Sequence, residues 1–171
     1  MFEELVALHD PVTRLPGSVL FFDRLRMAQH RAARTNSAVA VLAVELESFK
    51  AIARGYGGRT AEEVLRETAR RLGAVLRPQD TAAAVGDGGF LIMCDDLHGI
   101  AEIADREADE ICERVAHVIT GSYRVDGTPI DISARIGMCV DVGGSLEALP
   151  FIQAALADRP KATPRRTVEF G

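Results

Sequence analysis

Residues 85–93 read Val-Gly-Asp-Gly-Gly-Phe-Leu-Ile-Met. Three glycines around one carboxylate, with apolar residues on both sides, spell a strand, a tight turn and a returning strand. A turn that handles phosphate needs glycines, which let the backbone approach closely. It also needs carboxylates, to hold a metal or move a proton. This turn has the glycines and a single acid, Asp87. It therefore sets two adjacent antiparallel strands and raises the question of whether the chain is an enzyme.

The flanking segments read as alternating helices and strands. Residues 1–9 (MFEELVALH) have the pattern of a short amphipathic helix, a linker, stopped by Asp10-Pro11. Helical spacing places a helix over 18–35, with Leu20, Phe21, Leu25 and Ala28 on its apolar side. Residues 38–45 (AVAVLAVE) are a continuous apolar run ending in a carboxylate, the pattern of a buried central strand. A short helix is expected over 47–54, closed by Gly55. Thr60 and Glu63 have capping-box spacing for a helix over 61–76. Strands are expected at 80–85 and 89–94, and a long helix from His98 to Ile119. A second hairpin turns at Asp126-Gly127, a type I′ signal, with its return strand running from Ile130 to Val140. A last helix over 145–158 and an edge strand over 167–170 complete the reading. Helices between paired strands of one sheet indicate an α+β fold of ferredoxin-like or palm type: a central, mostly antiparallel sheet flanked by helices.

Composition excludes several functions. At 171 residues the chain builds one full core. Its 20 basic and 25 acidic residues give a net charge of −5, which argues against a broad nucleic-acid surface. Cys94, Cys112 and Cys139 are too widely spaced for a zinc site or a disulfide framework, which suits buried thiols in a reducing compartment. The four histidines, His9, His30, His98 and His117, show no metal spacing. No apolar run approaches the ~20 residues that span a bilayer. A cytoplasmic domain is expected.

Read in order, these stretches resemble the GGDEF family, the diguanylate cyclase domain that condenses two GTP into cyclic di-GMP. Residues 10–16 (DPVTRLP) resemble the family's opening D-P-L-T-G-L-P. Residues 45–52 (ELESFKAI) resemble its D-I-D-x-F-K-x-I. Gly57 and Glu62 fit the G-H-x-x-G-D that follows, and residues 133–140 (SARIGMCV) its S-I-G-V strand. Residues Gly86, Asp87, Gly88, Gly89 and Phe90 stand where the naming hairpin belongs. The resemblance runs from Asp10 to about Phe170, so residues 10–171 read as a single, degenerate GGDEF domain.

The resemblance implies a metal position at Glu45, a phosphate contact at Lys50 and a guanine-edge contact at Glu62. It also implies losses. Ala53 replaces a base-binding asparagine and Arg54 the next acid, while Gly88 and Gly89 replace the hairpin's metal carboxylate and catalytic acid. Asp87 lies one residue away, and a one-residue shift along a hairpin sends a side chain to the opposite face. The family's terminal phosphate contacts fall near Pro160 and Pro164, beside Lys161, Arg165 and Arg166. A second implied site is the R-x-x-D of Arg77 and Asp80, assisted by Arg114, where the family binds cyclic di-GMP as an inhibitor. Planar guanidinium groups suit both its phosphates and its purine edges.

Three readings follow. The first is a catalytically silent regulatory module, one that needs no cofactor and binds cyclic di-GMP at Arg77, Asp80 and Arg114. The second is an active cyclase with a remodelled hairpin, which would need Mg2+. The third is a structural dimerisation or docking domain without nucleotide. Cyclic di-GMP, a second copy of the domain and other domains of a larger signalling protein are the expected partners.

Overall fold

The computed structural model describes residues 8–158 and a two-residue strand at 161–162. Most of the helix expected over 1–9, the edge strand expected over 167–170 and the basic residues Arg165 and Arg166 lie outside the described residues. The elements in order are α1 (Ser18–Thr35), β1 (Ala38–Leu46), α2 (Phe49–Tyr56), α3 (Gly58–Val75), β2 (Thr81–Val85), β3 (Gly89–Leu97), α4 (Ala101–Ile119), β4 (Gly121–Val125), β5 (Thr128–Ile132), β6 (Ala134–Val142), α5 (Ala148–Ala157) and β7 (Lys161–Ala162).

The five-stranded sheet runs β2-β3-β1-β6-β7, and every neighbouring pair is antiparallel. Strand β1 lies at its centre, and each of its first seven residues is buried. Its alternation divides the core. Ala38, Ala40, Leu42 and Val44 face the layer that contains α2, α3 and α4. Val39, Val41 and Ala43 face Phe21 and Leu25 of α1 and Phe151 of α5. With helices on both faces, β1 reads as an unbroken apolar run and not as an alternating one.

Several boundaries differ from the sequence reading, each for a local reason. The expected capping box does not form. Helix α3 starts at Gly58 after Gly57 (φ +93°), and Glu63 pairs with Arg66 one turn on. Helix α2 is closed by Gly57, not Gly55. The second hairpin turns as expected, with Asp126 (φ 48°) and Gly127 (φ 81°) both left-handed. Its return strand, however, breaks at Ser133. Residues 128–132 pair with β4 in a separate two-stranded sheet, and 134–142 pair with β1. Helix α4 begins at Ala101 rather than His98, and α5 at Ala148 rather than 145. Strand β3 runs three residues past the expected end, to Leu97. Its register shifts there: Ala40 faces Cys94 but Ala38 faces Leu97, so three residues of β3 oppose two of β1. This is a β-bulge, with Asp96 left-handed at φ 56°.

Helix α5 rests on β6 at Gly137. A Cβ placed on Gly137 would stand 2.2 Å from the backbone carbonyl oxygen of Ala155, so the glycine is required by close approach of two backbones. Gly137→Ala is expected to lower unfolding free energy by about 1–3 kcal/mol in a urea titration; an unchanged midpoint would show that α5 does not seat there.

Candidate functional site

The first group of predicted residues gathers where β1 leaves the sheet. Glu45 is opposite Gly89 of β3 on one side and Arg135 of β6 on the other. Directly opposed residues share a face with Cβ atoms about 5 Å apart, so the exposed Glu45 carboxylate has a bare glycine and a guanidinium as its lateral neighbours. Arg135 donates from Nε to Glu47 at 2.6 Å. The hairpin turn has left-handed glycines at Gly86 (φ 56°) and Gly88 (φ 77°), with Asp87 exposed between them. Gly88 is buried, and its carbonyl accepts a hydrogen bond from the Leu46 amide at 2.9 Å.

Lys50 is exposed on α2, and its carbonyl accepts from Arg54 Nε at 3.4 Å. Ala53 packs against the core. Glu62 is exposed near the start of α3 and pairs with Arg66 Nη2 at 3.1 Å. A divalent cation is the group the fold family implies at this end of the sheet. Such an ion takes several oxygen ligands. Glu45 is the one carboxylate in the row Gly89–Glu45–Arg135, and the guanidinium beside it repels a cation. Among the described residues, no group of three His, Cys, Asp or Glu side chains is placed to hold a metal. The residues present therefore do not fit the ion.

The second group gathers at the other end of β3, on the bulge. The Asp80 side chain has no exposed surface. One of its oxygens accepts from Arg77 Nη2 at 3.0 Å and from the Asp95 amide at 3.2 Å; the other accepts from the Arg77 amide at 3.0 Å and Arg77 Nε at 3.2 Å. Arg77 Nη2 also donates to the Asp95 carbonyl at 2.7 Å. The Asp95 carboxylate pairs in turn with Arg31 of α1. The bulge presents the Asp95 backbone to Arg77 and Asp80 while its side chain reaches α1. About one-third of the Arg77 side chain stays exposed. Partial burial works against its charge, but the Asp80 carboxylate outweighs this and holds the guanidinium above its ordinary pKa.

Arg114 is exposed on α4, where it lines an open groove of about 540 Å³ with Val75, Glu110, Glu113, His117 and Val118. Burial pushes the Cys94 thiol far above its ordinary pKa; the Asp80 charge adds to the shift, and Arg77 and Arg114 oppose it. Both guanidinium groups thus act on the same buried thiol. Arg77 and Asp80 are joined directly, whereas Arg114 has no hydrogen bond or ion pair to either and lies on the neighbouring helix α4.

Sequence reasoning missed Arg31, Asp95 and Arg135. The first two had a faint signal, since Asp95-Asp96 ends an apolar strand and a buried acid needs a cation. Arg135 had a clearer one, as the lone charge inside the strand 134–140.

The fold is thus a five-stranded antiparallel palm with a glycine hairpin at one end of β3 and an arginine–aspartate clasp at the other. The model of the diguanylate cyclase GGDEF domain matches residues 7–155, and the chain belongs to this family. It is 35% identical over 138 residues to MucR of Pseudomonas aeruginosa, a bifunctional diguanylate cyclase/cyclic di-GMP phosphodiesterase; the match covers 81% of this chain and 19% of MucR. The chain thus spans about a fifth of that relative's length. The fold is similar to a sensory box/GGDEF family protein of Caulobacter crescentus, with TM-score 0.80 and 22% identity over 89% of this chain and 95% of that one. It is also similar to the coiled coil and GGDEF domain of DgcB from Caulobacter crescentus, solved in complex with c-di-GMP, with TM-score 0.72 and 22% identity over 91% and 81% of the two chains.

Asp80→Ala would strand the Asp95 amide and the Arg77 guanidinium. It is expected to cost about 2–3 kcal/mol of stability by urea unfolding, whereas a cost near zero would mean that the clasp does not hold the bulge.

Proposed function

We propose that this domain is a non-catalytic GGDEF module that binds cyclic di-GMP through Arg77 and Arg114 and passes its occupancy to a larger signalling protein. The observation that carries the reading is the row Gly89–Glu45–Arg135. Family chemistry requires carboxylates converging there; this chain's row has Glu45 alone, beside a guanidinium that is itself engaged by Glu47. Losing a metal ligand or an activating acid commonly costs orders of magnitude in rate. Base reading is weakened at the positions the family resemblance implies for it, because Ala53 has no polar group and Glu62 is engaged by Arg66.

The arginine cluster supports the binding half of the proposal. The exposed part of Arg77 and the exposed Arg114 present planar donors that suit bidentate contact with phosphate or stacking on a purine. Asp80 works first as the internal partner that orients Arg77. It can accept from a guanine N–H only after Arg77 releases it, since its oxygens have no free surface. Affinity is then reduced by the fraction of molecules in which the clasp is open. A groove of about 540 Å³ beside Arg114 is of the size small ligands occupy.

Calorimetry tests the binding half. Cyclic di-GMP is expected to give a saturable heat with the wild-type domain and at least a ~10-fold weaker one with Arg77→Ala, a loss of about 1.4 kcal/mol. No heat at high micromolar ligand would end this half of the reading. Incubation with GTP and Mg2+ tests the other half: no cyclic di-GMP is expected by chromatography, and turnover near ~1 per second, within the ordinary enzyme range, would overturn it.

A further inference from the structure

The implied metal fails to fit this chain for a reason beyond missing ligands. Gly88 and Gly89 are where the family resemblance places acidic side chains, and the space around each is already taken. A Cβ on Gly88 would lie 2.7 Å from both Cβ and Cγ of Phe49. Those two atoms are the root of the Phe49 side chain and cannot swing away as a chain tip can. Phe49 is itself buried in the core beside Ile52 and Leu46. Gly88 also has φ +77°, a conformation that strains any L side chain. A Cβ on Gly89 would lie 2.6 Å from the Val85 carbonyl oxygen, across the hairpin itself. The Leu46 amide fastens the turn by donating to the Gly88 carbonyl at 2.9 Å.

We propose that the hairpin turn of this chain is a closed, packed corner, with Gly88 seated on Phe49 and Gly89 on the Val85 carbonyl, so that it lacks the room as well as the carboxylates for a metal–phosphate group. The inference rests on the non-catalytic reading but claims more. An open turn that had merely lost its acids would regain a metal site when they were restored; a closed one does not. The packing also gives the two glycines a present structural task, in place of a vestige of an earlier one.

The test is a set of variants read by thermal unfolding and manganese binding, neither of which needs activity. Gly88→Ala is expected to lower the thermal midpoint by about 5 °C. In a Phe49→Ala background the same substitution is expected to lower it by clearly less, because the steric part has gone and only the backbone strain remains. Equal shifts in both backgrounds would overturn the seating on Phe49. Gly89→Ala is expected to show no such dependence on Phe49. The double variant Gly88→Asp/Gly89→Glu is expected to melt below wild type and to leave the electron paramagnetic resonance signal of millimolar manganese unchanged; a wild-type midpoint with manganese bound would overturn the proposal. If instead the wild-type domain makes cyclic di-GMP, the non-catalytic reading fails by itself, while the alanine cycle still reports on the packing.

Discussion

Burial of β1 on both faces is the constraint on which the rest depends. Seven consecutive buried residues demand a strand on each edge and a helix layer on each side, and the chain supplies β3, β6, α1 and α5, and the α2–α4 layer. The exits of β1 are then fixed in space. Glu45 emerges between the first residue of β3 and the second residue of β6. Any chemistry at that end must be assembled from those three strands and the start of α2. The opposite end of β3 must accommodate an extra residue against β1, and the bulge made there turns the Asp95 backbone toward α3.

Strand β3 therefore carries one candidate site at each end, ~20–25 Å apart at the usual strand rise. Their chemistry is opposite. At the hairpin end the backbone is packed tightly and the carboxylates do not converge: Glu45 faces a glycine and an arginine, Glu47 is held by that arginine, and Asp87 stands out on the exposed turn. At the bulge end ionisable groups are dense and mutually satisfied, from Arg31 through Asp95 and Arg77 to Asp80. No buried side-chain polar atom among the described residues lacks a partner. The bulge end keeps exposed donors on Arg77 and Arg114 with which to meet an anion. On our proposal, binding has been retained at the bulge end and chemistry given up at the end where the carboxylates do not converge.

Much of the fold was legible because it rests on period and punctuation. The apolar run at 38–44, the Asp126-Gly127 turn and the glycine hairpin each carry local information that tertiary structure does not overrule. The errors arose where local signals were ambiguous. Thr60 and Glu63 match a capping box by spacing, but Gly57 starts the helix earlier and Glu63 finds Arg66 instead. The break at Ser133 is invisible to hydrophobic pattern, since the alternation runs straight through it, with Ile130, Ile132, Ala134 and Ile136 all buried. The candidate site residues were named from the sequence as residue types at family positions. Two things were not: that the Asp80 carboxylate is wholly enclosed by Arg77 and Asp95, and that Phe49 closes the hairpin. The Asp95 half of the first and the whole of the second come from contacts between segments many residues apart, which spacing cannot reveal.

The most direct test of this division between the two ends of β3 is a pair of amide chemical-shift titrations on one isotope-labelled sample of the domain. With cyclic di-GMP, the account predicts shifts confined to residues around Arg77, Asp95 and Arg114. With GTP and Mg2+, it predicts no saturable shift around Glu45, Lys50 and Gly89. Saturable shifts centred on the hairpin with GTP and Mg2+, or a silent bulge with cyclic di-GMP, would contradict it.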